Sequence, residues 1–278
     1  MAPRLPSRHN RRLVQALVPW LVPALLLLIW QCLSVIGFIP SRILPAPTAI
    51  SQAGIQLAKS GELWTHLSMS AARAGSGFLI GGSLGLIFGV LTGLLKRAEL
   101  LLDSSFQMLR NIPPLAMIPL VILWFGIGEE ARVFLVALGV FFPVYLNTFN
   151  GIRSIDPGLL EMGRVYGLSP WQIVTDIVLP GATPSILVGV RFSLGVAWII
   201  LIVGEQIAAN SGIGYLAMNA REFMQTDIIV FSILLYALLG KFSDSLARQL
   251  EYKLLPWHPN FQREGKERAS QPVLSRTS

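Results

Sequence analysis

Long apolar runs separated by short polar turns organise this chain. Between Arg12 and Arg42 lie 29 uncharged residues, between Arg73 and Lys96 lie 22, and between Arg110 and Glu129 lie 18. Each is of a length that lets an α-helix cross a bilayer, about 20 residues being typical. Residues 133–152 and 184–204 form two further runs, the second interrupted only by Arg191. A sixth and weaker run covers 226–247; its uncharged part is only 228–240, so it has to place Lys241 and Asp244 at a membrane surface. The pattern predicts an all-α integral membrane protein of about six transmembrane helices. A tail at 1–12, one membrane domain at 13–248 and a polar tail at 249–278 complete the expected layout.

Composition agrees, with 53% apolar and 13% charged residues in 278, and excludes an ordinary soluble domain. The first run follows four arginines but is too long for a secretory signal and has no small-x-small cleavage site. Cys32 is the only cysteine, so no internal disulfide forms; it reads as an ordinary helix residue. With both termini cytoplasmic, 16 Lys and Arg fall in inner segments and 5 in outer ones, as the positive-inside rule prefers. The tails carry that difference, the internal loops being tied. The net charge of +7 then reflects topology and anionic lipid, not nucleic acid. In this layout 129–132 is a tight outer turn, 205–227 an outer loop and 153–180 an inner loop.

Two spans carry special backbone chemistry. Gly77, Gly81, Gly85, Gly89 and Gly93 recur every four residues on one helix face, a groove that lets another helix approach closely. Pro113 and Pro114 suit a first helical turn, whereas Pro119 lies further in and is expected to kink the third span or free a carbonyl, as pathway-lining helices do.

The inner loop reads as a docking shape. Asp156-Pro157, Ser169-Pro170 and Thr183-Pro184 each pair a capping side chain with a proline at the first helical position. Ser169 has Gln172 three residues on, a capping box. One short helix should close at Gly167, a second should follow from Pro170, and Pro180 with Gly181 should break it before the fifth span. Glu161 is expected to bond backbone amides or pair with Arg164, with Tyr166 and Trp171 at the headgroups. An interfacial hairpin without a partner is the alternative.

The spacing Glu161, five residues, Gly167, nine residues, Ile177-x-Leu179-Pro180 resembles the cytoplasmic signature of ABC importer permeases. Met162 and Gly163 stand where that signature usually has two alanines. The stretches SGELWTHLSMSAARAGSGFLIGGSLGLI, QMLRNIPPLAMIPLVILWFGI and ANSGIGYLAMNAREFMQTD are similar to the nitrate, sulfonate and taurine group, most closely to its aliphatic sulfonate permeases. The resemblance implies a type I importer fold, a homodimer in the bacterial inner membrane, cytoplasmic ABC ATPase subunits and a periplasmic sulfonate-binding protein. It makes 153–180 the coupling loop, with Glu161, Gly167, Leu179 and Pro180 shaping it and Leu168, Ser169, Pro170 and Trp171 near the ATPase. The chain has no G-x-x-x-x-G-K-[ST] loop, so ATP is used by the partner; no cofactor is expected here.

Arg191 lies seven residues beyond Pro184 and either snorkels to the inner surface or faces a cavity through which an anion passes. Glu205 is either a solvated helix end or part of an outer gate. No carboxylate lies deep in an expected span, which disfavours a proton-driven carrier. His9, His66 and His258 are too scattered for a metal site, and no catalytic constellation assembles by spacing. A taurine, nitrate or other small-anion importer, an autonomous channel and a secondary carrier remain as alternatives.

Overall fold

In the computed structural model, which describes residues 8–257, the chain is helical almost throughout. The elements are α1 (Arg8–Val35), α2 (Pro47–Ser60), α3 (Glu62–Leu94), α4 (Lys96–Leu109), a 3-10 turn (Pro114–Met117) and α5 (Ile118–Phe125). There follow α6 (Glu129–Arg153), α7 (Pro157–Val165), α8 (Pro170–Gln172), a π-helical turn (Ile173–Val178), α9 (Leu179–Ala208), α10 (Ile213–Glu222) and α11 (Thr226–Leu254). Residues 1–7 and 258–278, and with them most of the two expected tails and His258, lie outside the described residues.

Among the described residues four helices are long and apolar enough to cross a membrane, or five if the bent pair Lys96–Leu109 and Pro114–Phe125 counts as one. Leu21–Val35 of α1 is a further, shorter apolar stretch. α4 lies before the third expected run, which begins after Arg110, and meets the helical part of that run, Pro114–Phe125, at an angle of 81°. Proline disfavours a helical residue before it, and Pro113 is extended at φ −60°, ψ 126°. Pro119 consequently falls in the first turn of α5, where it costs no hydrogen bond, and does not kink a longer helix.

The chain groups into two compact units. One comprises residues up to His66 together with Leu216–Leu235. Here Leu57, Leu63 and Leu216 are buried against Ile228, Phe231 and Leu235, and Gly54 leaves room for the Phe231 ring. The Thr226 hydroxyl donates to the Ser41 carbonyl at 3.0 Å, and the Gln31 amide donates to the Thr48 hydroxyl at 3.2 Å.

The other unit comprises Leu67–Tyr215 and the chain from Tyr236. On α3 the five glycines all face α6: a Cβ on Gly77 would meet Val136 at 2.6 Å, on Gly85 the Phe141 carbonyl at 2.6 Å, on Gly89 Thr148 at 2.6 Å and on Gly93 Ile152 at 3.0 Å. Gly81 is closest of all, against the Ala137 backbone. Leu79, Ile80, Leu84 and Ile87 project outward. This inverts the soluble rule: lipid is as apolar as leucine, so close backbone packing, not hydrophobic burial, holds the helix pair. On its other side α6 meets α9, where Gly139 accommodates Ile200 and Gly189 accommodates Asn147. Val121, Leu135, Val136, Val140, Ala197 and Leu201 fill the centre.

The hairpin joins α9 without a break. Pro180 and Gly181 do not end the second short helix, and Thr183 does not cap a new one; its hydroxyl donates back to the Leu179 carbonyl at 2.7 Å. Ending and restarting a helix would strand up to about four amides and four carbonyls, whereas the two prolines each remove one bond. Continuity is therefore cheaper where water is scarce. The π turn just before Pro180 takes up the misfit, with the Leu179 amide donating to the Val174 carbonyl.

Candidate functional site

The loop between α6 and α9 folds as a capped hairpin. Asp156 Oδ1 accepts from the Gly158 amide at 2.8 Å with Pro157 in the first turn. At the next start Ser169 Oγ accepts from the Gln172 amide at 3.3 Å while Gln172 Oε1 accepts from the Ser169 amide at 2.8 Å, a full capping box. Between them Gly167 is left-handed at φ +79°. The Leu168 amide donates to Gly163 O and the Gly167 amide to Arg164 O, both at 3.0 Å, which is a Schellman closure.

Beneath the turn, Gly163 is buried, and a Cβ there would meet Ile177 Cδ1 at 2.8 Å and Leu168 Cδ1 at 3.4 Å. This explains a small residue at that position: it is where the two short helices touch. Ile152, Val178 and Ala182, with Ile155, Leu160 and Ile173, anchor the hairpin from below. Its outer face is apolar and bare, with Val165 85%, Tyr166 79% and Trp171 73% exposed. Glu161 is exposed too. It forms no hydrogen bond or ion pair among the described residues, contrary to the expected pairing with Arg164 or the backbone, because α7 is capped by Asp156 and closed by Gly167 without it.

Arg191 on α9 turns to α11. Its Nε donates to Asp244 Oδ1 at 2.6 Å, and one NH group lies 3.6 Å from Glu251. Asp244 in turn holds Arg248 at 3.2 Å. These pairs let α11 run unbroken past Lys241 and Asp244, which the sequence pattern had placed at its surface end. Arg191, Asp244 and Glu251 line a cavity of about 510 Å³ together with Val188, Phe192, Val196 and Ile199.

A second polar group, which spacing alone did not bring together, forms near the ends of α6 and α9. Glu205 is 0% exposed, not a solvated helix end. It accepts from Ser70 Oγ at 2.8 Å, Arg73 Nη1 at 2.7 Å, the Gly214 amide at 2.9 Å and Tyr236 Oη at 3.1 Å. Arg73 also donates from Nε and Nη2 to Glu129 at 2.5 and 2.7 Å, and to Ser211. Arg132 Nη1 donates to the same Glu129 at 2.8 Å. Residues 129–132 are thus the first turn of α6 and not an outer turn; the chain reverses at Gly126, φ +72°. The clue in the sequence was that Arg73, Glu129, Arg132 and Glu205 all sit at the margins of apolar runs, where charges must find partners if the helices extend further.

Long apolar helices packed through glycines, with ion pairs buried between them and a capped hairpin joining two of them, define a polytopic helical membrane protein. The chain belongs to the family of binding-protein-dependent transport system inner membrane components, whose model matches residues 81–255. It is 58% identical over 243 residues to the putative aliphatic sulfonates transport permease protein SsuC of Escherichia coli (strain K12), covering 87% of this chain and 92% of that one. With the Bacillus subtilis (strain 168) protein of the same description it shares 47% over 242 residues, 87% of this chain and 88% of that one. The taurine transport system permease protein TauC of E. coli (strain K12) is 33% identical over 86% of this chain and 89% of its own length. Among solved structures, an alginate ABC transporter complex matches with a TM-score of 0.59 at 17% identity, over 87% of this chain and 98% of that one. The inward-facing MetNI methionine ABC transporter matches at 0.53 and 21% identity, over 68% and 94%. These last two speak for the fold.

Proposed function

We propose that this chain is the membrane-spanning permease subunit of an ATP-driven, binding-protein-dependent importer of aliphatic sulfonates. The observation that carries the reading is the 58% identity over 87% of the chain with a putative aliphatic sulfonate permease, well above the 33% shared with the taurine permease. The subunit works as a homodimer by alternating access and makes or breaks no bond itself. Six spans, counting α1 and the bent pair, leave both termini in the cytoplasm and the hairpin on the cytoplasmic side. There Trp171, Tyr166 and Glu161 meet a separate ABC ATPase, while a periplasmic binding protein delivers substrate to the opposite face. Gly167 and the Ser169 capping box hold the hairpin's shape, and Leu179 and Pro180 carry it into α9. Arg191, which shares its cavity with Asp244 and Glu251, is an anion contact on the pathway, Glu205 holds the outer end, and Pro119 starts the short helix α5.

Deletion of the gene followed by growth on alkanesulfonates, taurine or sulfate as sole sulphur source tests this reading. Loss of growth on alkanesulfonates alone is expected; normal growth on them overturns it.

A further inference from the structure

Around Glu129 three arginine N–H groups converge on two carboxylate oxygens, so one oxygen is shared. Arg73 Nε, Arg73 Nη2 and Arg132 Nη1 converge on its two oxygens at 2.5, 2.7 and 2.8 Å, two of them sharing Oε1. Both arginines are fixed and nearly fully buried, with side chains 3% and 7% exposed, whereas the Glu129 side chain is 51% exposed. Arg73 is held from behind by Glu205 and Ser211. Glu129 begins α6 directly after the Gly126–Gly128 reversal, and Gly128 provides no side-chain cap. Of the four charged groups it is the one with a route to solvent.

Charge counting sharpens this. Arg73, Arg132, Glu129 and Glu205 sum to zero, so withdrawal of Glu129 leaves a buried excess of one positive charge, which is costly until another anion replaces it. A headgroup with three equivalent oxygens can accept the three N–H groups one to one, as charge-assisted bonds. Beside Arg132 lies a narrow cavity of about 20 Å³ lined by Ile118, Ile122, Ile127, Leu135 and Ile207, apolar in character and wide enough here for a methyl-sized group.

We propose that Arg73 and Arg132 form an anion site which Glu129 occupies in this conformation as a tethered stand-in, and which a sulfonate headgroup takes over when Glu129 swings outward, its alkyl group entering the slot beside Arg132. The choice of a sulfonate rests on the functional reading above; the site itself rests on the donor geometry. Substrate capture is then an exchange of one anion for another at the three converging N–H groups.

The test is chemical rescue on the full-length chain purified in detergent. Glu129→Ala should lower the melting temperature, and ethanesulfonate should restore it, binding at least about tenfold more tightly than to wild type because the tethered competitor is gone. Propionate, with two oxygens, should restore less. Adding Arg132→Ala should abolish the rescue. Glu129→Gln, which preserves side-chain volume, is read in the same way if Glu129→Ala does not fold. A destabilised variant that neither anion restores overturns the site; so does rescue that survives loss of Arg132. Equal rescue by propionate overturns the sulfonate assignment. Normal rescue with no sulfonate-dependent growth defect in the deletion strain would sink the functional reading and leave the anion site standing.

Discussion

Arg73 and Glu205, 132 residues apart in sequence, meet at 2.7 Å with both side chains out of solvent. Each has further partners, so the pair is hydrogen-bonded as well as neutralised. Removing one partner of such a pair strands the other and costs about 3–5 kcal/mol. Glu205→Ala and Arg73→Ala should each lower thermal stability in detergent by an amount of that order. The double variant should lose clearly less than the sum, as contacting groups do; strict additivity would show that the two do not depend on each other.

The glycine face of α3 predicts a contrast between neighbours. Gly81→Ala drives a methyl group into the Ala137 backbone, while Gly75→Ala meets nothing within 4 Å. Gly75→Ala should be neutral or stabilising by up to about 1 kcal/mol through helix propensity. Gly81→Ala should reduce folded yield and melting temperature, and equal behaviour of the two would remove the close approach from the account.

At the hairpin, Gly167→Val forces a β-branched residue into a left-handed conformation, φ +79°, at a cost of about 1–2 kcal/mol or more. The expected outcome is a chain that still inserts but no longer co-purifies with the proposed ABC ATPase; Gly167→Asn should keep the proposed partner. Unchanged sulfonate uptake by Gly167→Val would contradict the docking role.

Gly163→Ala is expected to be nearly silent. Only the terminal methyl of Ile177 stands in its way, and better helix propensity offsets the small displacement. Gly163→Leu should open the hairpin, read as increased proteolysis within 153–180.

Arg191→Ala should impair uptake while leaving ATPase binding intact, since Arg191 bonds α11 and lines a cavity but does not belong to the hairpin. Normal uptake would reduce Arg191 to a tie between α9 and α11.

Legibility followed the range of the interaction. Asp156, Ser169 and Gly167 act within five residues of their partners, so caps, capping box and closure could be read from spacing, as could the four-residue glycine repeat. Glu205 could not be assigned, because its partners Ser70, Arg73 and Tyr236 lie 31 to 135 residues away. The continuity of the helix through Pro180 and Pro184 is hidden for another reason: the rule that proline ends helices comes from water, where stranded backbone groups find partners at once. The bend of 81° before Pro114 is hidden for a different reason: the helix on its near side, α4, carries Lys96, Arg97, Glu99 and Asp103, so apolar length does not mark it as part of a span.

The unbroken helix from Pro170 to Ile207 is 38 residues long, roughly 55 Å at helical rise. One end carries the exposed Trp171, and the other carries Glu205 among its donors. Had the chain been jointed at Gly181, a push on the hairpin would have been absorbed there as a change of angle. As a single connecting rod, it gives any displacement of Trp171 a mechanical counterpart at the far side of the bilayer.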